Sequence, residues 1–305
     1  MFVNLDLRKH AEDLVDKARM APSLRNAQPW AFRVKPDAVE VYADRSRRIP
    51  TIDPDDRQLL IGVGAAVYAI RLGISMLGVE PTISLLPGAE RGDLAALVSV
   101  GPDHVPSLAE ARLMEQVPVR RTVRSRMNPC VSSQERDELT AAAASEAATL
   151  VWIGDPEPRR VLAHLVALAQ RRRAAESRVA SGGAGTGTAV VDHGLETVSA
   201  VAEPPLEEPE SEPSVAVLTT GGDRPTDWLR AGQALMRALL TATADGLGAA
   251  YINLPLELPD IRPRVRDELA LAGFPQLILR FGRPLDGWPL PTPRRPICEV
   301  LRPRP

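Results

Sequence analysis

Cysteine is almost missing from this 305-residue chain: Cys130 and Cys298 are the only two, and they stand far apart. Two isolated thiols make neither a disulfide framework nor a zinc site. Histidine is nearly as scarce, and His10, His104, His164 and His193 lack the spacing of metal ligands. Aromatics make up 4% of the residues, so aliphatic side chains and alanine must fill the core. Nor is there any excess of positive charge. The net charge is −2, which argues against a nucleic-acid partner. An apolar leader is also missing, because Leu7 is followed by Arg8, Lys9, His10 and, after Ala11, Glu12. That pattern gives no signal peptide, and the expected location is the cytoplasm. No Ser/His/Asp order and no paired acids stand out for hydrolytic chemistry.

What is present is an ordinary globular share of apolar residues, 44%. The stretch from Leu59 to Val79 is long enough to cross a bilayer, but it contains Arg71 and no second span follows. It reads as a buried helix whose glycines and alanines let another helix approach closely, and no membrane partner is expected. Leu7, Ala11, Leu14, Val15 and Ala18 form one apolar face of a first helix, which Pro22 ends. Trp30, Phe32 and Val34 alternate, then Val39 and Val41, around the turn-like Lys35-Pro36-Asp37, which predicts a β-hairpin. Strands are expected at Thr82 to Leu86 and Ala95 to Val100.

A second set of elements follows: a helix over Ser132 to Ala148, where Ser133 and Arg136 give no full capping box, a strand at Thr149 to Ile153 and a helix from Pro158 to Ser177. Further on come a strand at Val215 to Thr220, a helix from Trp228 to Leu247, a short strand at Ala250 to Leu254 and a last strand at Gln276 to Phe281. Between them, Ser181 to Pro213 is glycine-rich, then acidic and proline-rich, and reads as a flexible loop or lid. The long helices ending in Leu77-Gly78 and Leu247-Gly248 echo one another, which suggests an internal duplication. The expected halves are residues 1–115 and 116–305.

Two segments concentrate polar groups suited to a ligand. Ala21 to Trp30, APSLRNAQPW, is a helix end running into a loop in which Ser23 and Asn26 can bond a ligand or brace the turn. Arg120-Arg121-Thr122-Val123-Arg124 combines guanidinium forks with a hydroxyl, a set suited to phosphate. Gly182 to Gly187 has neither a preceding strand nor a following Gly-Lys-Ser/Thr, so it is no P-loop. Arg171 to Arg173 reads as a solvated helix face.

The loop resembles the A-P-S-x-x-N-x-Q-P-W signature of the FMN-dependent nitroreductase family, and the surroundings look most like its actinobacterial Acg-type branch. Supporting stretches are ADRSRRIPTIDPDDRQLLIGVGAA, AVLTTGGDRPTDWLRAGQALMRALLTATADGLGA, PQLILRFG and TPRRPICEVL, spread over most of the chain outside 181–213. The resemblance implies an α+β nitroreductase-like fold of two related halves, each with a mixed or antiparallel sheet and long buried helices. It further implies one FMN per chain, because no second APSxxN loop follows Ala148. Pro22, Ser23, Arg25 and Asn26 would line the ring and ribityl chain. Arg120, Arg121, Thr122, Arg124, Arg294 and Arg295 would face the phosphate, and Asn253 would lie near the N5 edge.

The implied activity is hydride transfer from NAD(P)H to FMN, then reduction of a small-molecule electron acceptor such as a nitroaromatic or a quinone, with the cofactor carrying the redox chemistry. The alternative is a protein that binds or sequesters FMN without turnover. Fused halves allow a functional monomer or a homodimer. Three departures from the branch stand out. The lid region is short, Arg25 replaces a common His and would add positive charge near the ring, and Val63 replaces a common Cys.

Overall fold

The computed structural model describes residues 5–88, 92–180 and 214–302. The expected loop or lid at 181–213 lies outside the described residues.

The first half opens with a 3₁₀ turn at Leu7–His10 that runs into helix α1 (Ala11–Ala18), which buries Leu14, Val15 and Ala18. Strands β1 (Trp30–Val34) and β2 (Ala38–Ala43) form the expected hairpin, with Val34 opposite Val39. Helix α2 (Arg57–Ser75) is the apolar stretch that could be mistaken for a membrane span. All of its residues but Arg71 are buried, and the side chains that meet it are those of the protein core. Strands β3 (Val79–Leu85) and β4 (Leu94–Asp103) complete a sheet in the order β1-β2-β4-β3.

Helix α3 (Leu108–Gln116) follows where a plain connection was expected; Ser107 and Glu110 close a capping box at its start. The two-residue β5 (Met127–Asn128) leads to α4 (Ser133–Ala144). The sequence reading of this second helix start needs correction. The cap is Ser132, one residue earlier than assumed, and Glu135 completes a full capping box with it. Strand β6 (Ala148–Trp152), helix α5 (Pro156–Ala180), strand β7 (Ser214–Thr220), helix α6 (Pro225–Ala244), strand β8 (Gly248–Tyr251), helices α7 (Leu254–Glu257) and α8 (Arg262–Glu268), strand β9 (Phe274–Pro284) and helix α9 (Ile297–Val300) follow.

The two halves share a topology. After α1, the first half runs β1, β2, α2, β3, β4; after α4, the second runs β6, β7, α6, β8, β9, with α5, α7 and α8 inserted. In the second sheet β9 pairs with β7, β7 with β6, and β8 takes the opposite edge of β9, matching the first sheet strand for strand. All ladders between named strands are antiparallel, so the mixed alternative is not realised there.

The corresponding helices α2 and α6 pack against each other at the centre. A Cβ on Gly64 would overlap the Leu229 carbonyl oxygen and stand 2.9 Å from its carbon; one on Gly232 would stand 2.8 Å from the Ala65 nitrogen. Glycine is required here because the backbones touch. Arg57, at the start of α2, adds a polar tie to the other half by donating to the Gln276 carbonyl at 2.6 Å and the Leu256 carbonyl at 3.0 Å. Burial, helped by the neighbouring Arg262, pushes its pKa down to about 10. The C-terminal strap also crosses between halves, because Leu301 bridges to Phe32 of β1 and the Arg302 N–H donates to the Phe32 carbonyl at 2.7 Å.

Candidate functional site

The APSLRN loop lies directly on α2. A Cβ on Gly62 would stand 3.3 Å from the Ser23 Cβ and 3.5 Å from the Pro22 carbonyl oxygen, so the glycine sets how closely the loop seats. Pro22 is buried against that helix, and Ser23 is half-buried. The Ser23 hydroxyl accepts from the Gln28 N–H at 2.9 Å and braces the loop. Arg25, Asn26 and Gln28 all take left-handed backbone, with φ of 47°, 57° and 51°. Asn tolerates that region well, whereas Arg and Gln are held there by their surroundings. Arg25 is exposed on this turn.

What holds the loop is the strap. The Asn26 amide nitrogen donates to the Pro293 carbonyl at 2.9 Å, and its oxygen accepts from Arg294 at 3.0 Å. Gln28, only 4% exposed, accepts from the Arg295 N–H at 2.8 Å. Sequence reasoning assigned Asn26 to a ligand. The structure spends both ends of its side chain on the strap, and gives Gln28, which was not singled out, a matching role.

The two strap arginines have opposite fates. Arg295 lies against the Gln28 and Trp30 carbonyls and pairs with Asp44 at 3.4 Å and Glu299 at 3.3 Å. Its charge is compensated, so the structure uses it as a clamp on β1. Arg294 has neutral partners instead: besides Asn26, Nη1 donates to Thr292 Oγ1 at 2.5 Å and the Pro293 carbonyl at 3.3 Å, Nη2 donates to the Met20 carbonyl at 3.3 Å, and Nε is buried with no partner. Burial pushes its pKa down to about 10, and the nearby positive charges of Arg120, Arg121 and Arg19 add to the effect.

Arg120 meets Arg294 at the same point. It is 3% exposed and donates from Nη2 to the Met20 carbonyl at 3.1 Å. Its Nε and Nη1 are buried without a partner, and burial lowers its pKa. Arg121 turns back on the Pro118 and Arg120 carbonyls at 2.7 and 2.9 Å. Thr122 forms a parallel bridge to Ala249, sealed by the Val123 N–H donating to the Ala249 carbonyl at 2.9 Å. Arg124 is exposed beyond it. Asn253 is elsewhere engaged: its oxygen accepts from the Ile278 N–H at 2.9 Å, bracing the turn after β8 against β9.

Thus the structure brings Arg120 and Arg294 together at the end of α1, with Arg121 beside them, and draws Arg295 and Asn253 into bracing. Arg19, which sequence reasoning passed over, adds a guanidinium paired with Asp16. Buried arginine normally takes a carboxylate or a full set of acceptors. Arg120 has a single carbonyl shared with a second arginine, and two of its nitrogens face no acceptor. An anion with several acceptor oxygens satisfies both guanidinium groups at once. An open cleft of about 760 Å³ beside the strap, lined by Glu12, Arg19, Pro296, Ile297, Cys298 and Leu301, shares only Arg19 with this cluster. Among the described residues no cluster of His, Cys, Asp and Glu is arranged to hold a metal.

No family model matches the chain. Two proteins of Mycobacterium tuberculosis (strain ATCC 25618 / H37Rv) are similar to it. "Putative NAD(P)H nitroreductase Rv3131" is 31% identical over 92% of this chain and 88% of its own length. "Putative NAD(P)H nitroreductase acg" is 26% identical over 99% of this chain and 97% of its own length. Among solved structures, the NADPH:FMN oxidoreductase from Vibrio harveyi complexed with NAD+ aligns over 64% of this chain and 77% of its own, with a TM-score of 0.43 and 16% identity. On the 31% identity over nearly the whole length of both sequences, the chain belongs to the nitroreductase family.

Proposed function

We propose that this protein is an FMN-dependent NAD(P)H oxidoreductase that binds one flavin per chain and reduces a small-molecule acceptor. The observation that carries the reading is Arg120, a buried guanidinium with no acid and two unfilled donor directions, facing Arg294 across one carbonyl. A phosphate monoester fits this pair because it carries charge near −2 and three strong acceptor oxygens. Arg121, Thr122 and Arg124, on the same short segment, supply further donors at its rim. Pro22 and Ser23, seated on Gly62, offer a wall for the ring, and exposed Arg25 places positive charge at its edge.

Bound flavin would supply the redox chemistry, accepting reducing equivalents from NAD(P)H and delivering them to an acceptor such as a nitroaromatic or a quinone. The chain's own residues then need only bind, orient and exclude water, which agrees with the lack of an acid–base constellation in the sequence. We place this activity in the cytoplasm, in a monomer or a homodimer. The test is direct: load the purified protein with FMN, remove oxygen and add NADPH or NADH. Rapid loss of flavin absorbance, restored by an added quinone, supports the enzyme. Colour that persists with both donors points to binding without turnover. A protein that takes up no FMN overturns the reading.

A further inference from the structure

Tyr251 ends strand β8, its ring partly buried against the second-half core that includes Leu279, its partner on β9. Its hydroxyl is buried with no hydrogen-bond partner. Strand register says where it faces. Thr122 bridges Ala249 in parallel, and Tyr251 lies two residues beyond Ala249 on β8. Successive side chains on an extended segment alternate between faces. On β8, Ala249 and Tyr251 therefore share the face that Thr122 bridges, while Val123 packs on Gly248, Met127 and Ala250. The electrostatics agree, since the charges of Arg120 and Arg124 both act on the phenol, although burial outweighs them and raises its pKa.

An unmade hydrogen bond on a buried hydroxyl is costly, and Arg120, whose charge acts on this phenol, has its own Nε and Nη1 unpartnered. Neither the phenol nor these nitrogens find an acceptor within the fold. An anion held by the arginines and accepting from the phenol would satisfy both. Resting on the FMN reading above, we propose that the Tyr251 hydroxyl donates to the ligand's phosphate, making the site selective for a phosphorylated flavin over riboflavin. The phenol stays protonated under ordinary conditions, as its raised pKa requires of a donor.

The test is Tyr251→Phe, which removes one oxygen and keeps the ring. Wild type and variant are titrated with FMN and, separately, riboflavin, following quenching of flavin fluorescence, and the melting temperature of each ligand-free protein is recorded. The expected result is a loss of FMN affinity of about tenfold, the effect of one hydrogen bond to a charged group. Riboflavin affinity should hold and the ligand-free melting temperature should hold or rise, so the FMN-to-riboflavin preference falls by the same factor. Unchanged FMN affinity, or equal losses for both flavins, overturns the role of Tyr251 while leaving the FMN reading intact. Wild-type protein that binds neither flavin overturns both, and that arm is read before any variant is made. Should Tyr251→Phe fold poorly, Tyr251→His supplies a ring and a donor; an FMN-to-riboflavin preference close to that of wild type is then expected, and its loss would count against the proposal.

Discussion

Arg120 allows a prediction in which stability and affinity move in opposite directions. In the ligand-free protein its guanidinium is 3% exposed and makes one hydrogen bond, to a carbonyl that Arg294 also reaches. Replacement by methionine keeps an unbranched chain of similar length and removes a buried, uncompensated charge. The Met20 carbonyl keeps its bond from Arg294, so no new orphan is created. Buried charges exchanged for well-packed apolar side chains leave stability unchanged or improve it, by about 1–4 kcal/mol for pairs and triads. Ligand-free Arg120→Met should therefore melt at or above the wild-type temperature.

FMN binding should suffer. Hydrogen bonds to charged groups contribute roughly 1.5–3 kcal/mol, or about ten- to a hundredfold in affinity, and the two free donor directions of Arg120 place the loss near the upper end. With FMN at about 100 times the wild-type Kd, bound ligand adds about 2.7 kcal/mol to wild-type stability. A variant binding about a hundredfold more weakly gains only about 0.4 kcal/mol at the same concentration. At about 2 °C per kcal/mol for a chain of this size, the FMN-dependent rise in Tm shrinks from roughly 5 °C to about 1 °C. Scanning calorimetry with and without FMN measures both effects. A variant that loses several degrees without ligand yet keeps its full FMN increment would refute the argument and make Arg120 a structural clamp.

Two further predictions concern the frame around the site. Gly64→Ala forces a methyl into the Leu229 backbone and should cost about 3 kcal/mol or more, since backbone cannot move aside as a side chain can. Gly154→Ala, with nothing within 4 Å of its added methyl, should stay within about 0.5 kcal/mol in the same urea titration; equal effects would mean that the α2–α6 contact is not tight. Glu110 concerns pH. Burial raises its pKa, but hydrogen bonds from Ser75, Ser107 and His104 outweigh this and hold it at about 2, against an ordinary 4.5. Its stabilising contribution is thus complete above pH 4.5 and fades as pH falls toward 2. Wild type should exceed Glu110→Gln in urea midpoint at pH 7, with the gap narrowing below pH 4.5; a gap that stays constant down to pH 3 would contradict this.

Much of the frame could be read from apolar periodicity. The hairpin around Lys35-Pro36-Asp37 follows from strict alternation, and α2 from a long apolar stretch whose glycines proved to be contact points with α6. Helix α3 escaped because it has little to bury: Leu113 is buried, but Leu108 is 91% exposed. Its signal was the cap, Ser107 with Glu110 three residues on, and the same spacing at Ser132 and Glu135 marks the true start of α4. The crossing of the strap onto β1 left no such trace, because its bridge from Leu301 to Phe32 joins residues far apart in the chain. Tertiary pairing of that kind has no local pattern.

The site divides along a different line. The residue types proposed for it could be named from the sequence, but whether each charge would be compensated could not. Arg294 and Arg295 are adjacent, yet their side chains take different partners. One of them meets Asp44 and Glu299, the other Met20 and Arg120. With 37 basic and 39 acidic residues in the chain, near-neutrality overall says nothing about where a particular cation finds its partner. Asn26 shows the same ambiguity in a neutral group, since a short amide that could hold a ligand can equally hold Pro293 and Arg294. In the proposed site, the residues assigned to the ligand are ones with an unfilled hydrogen-bonding direction inside the fold. Arg120, Arg294 and Tyr251 retain one, whereas Arg295 and Asn253 are drawn into bracing.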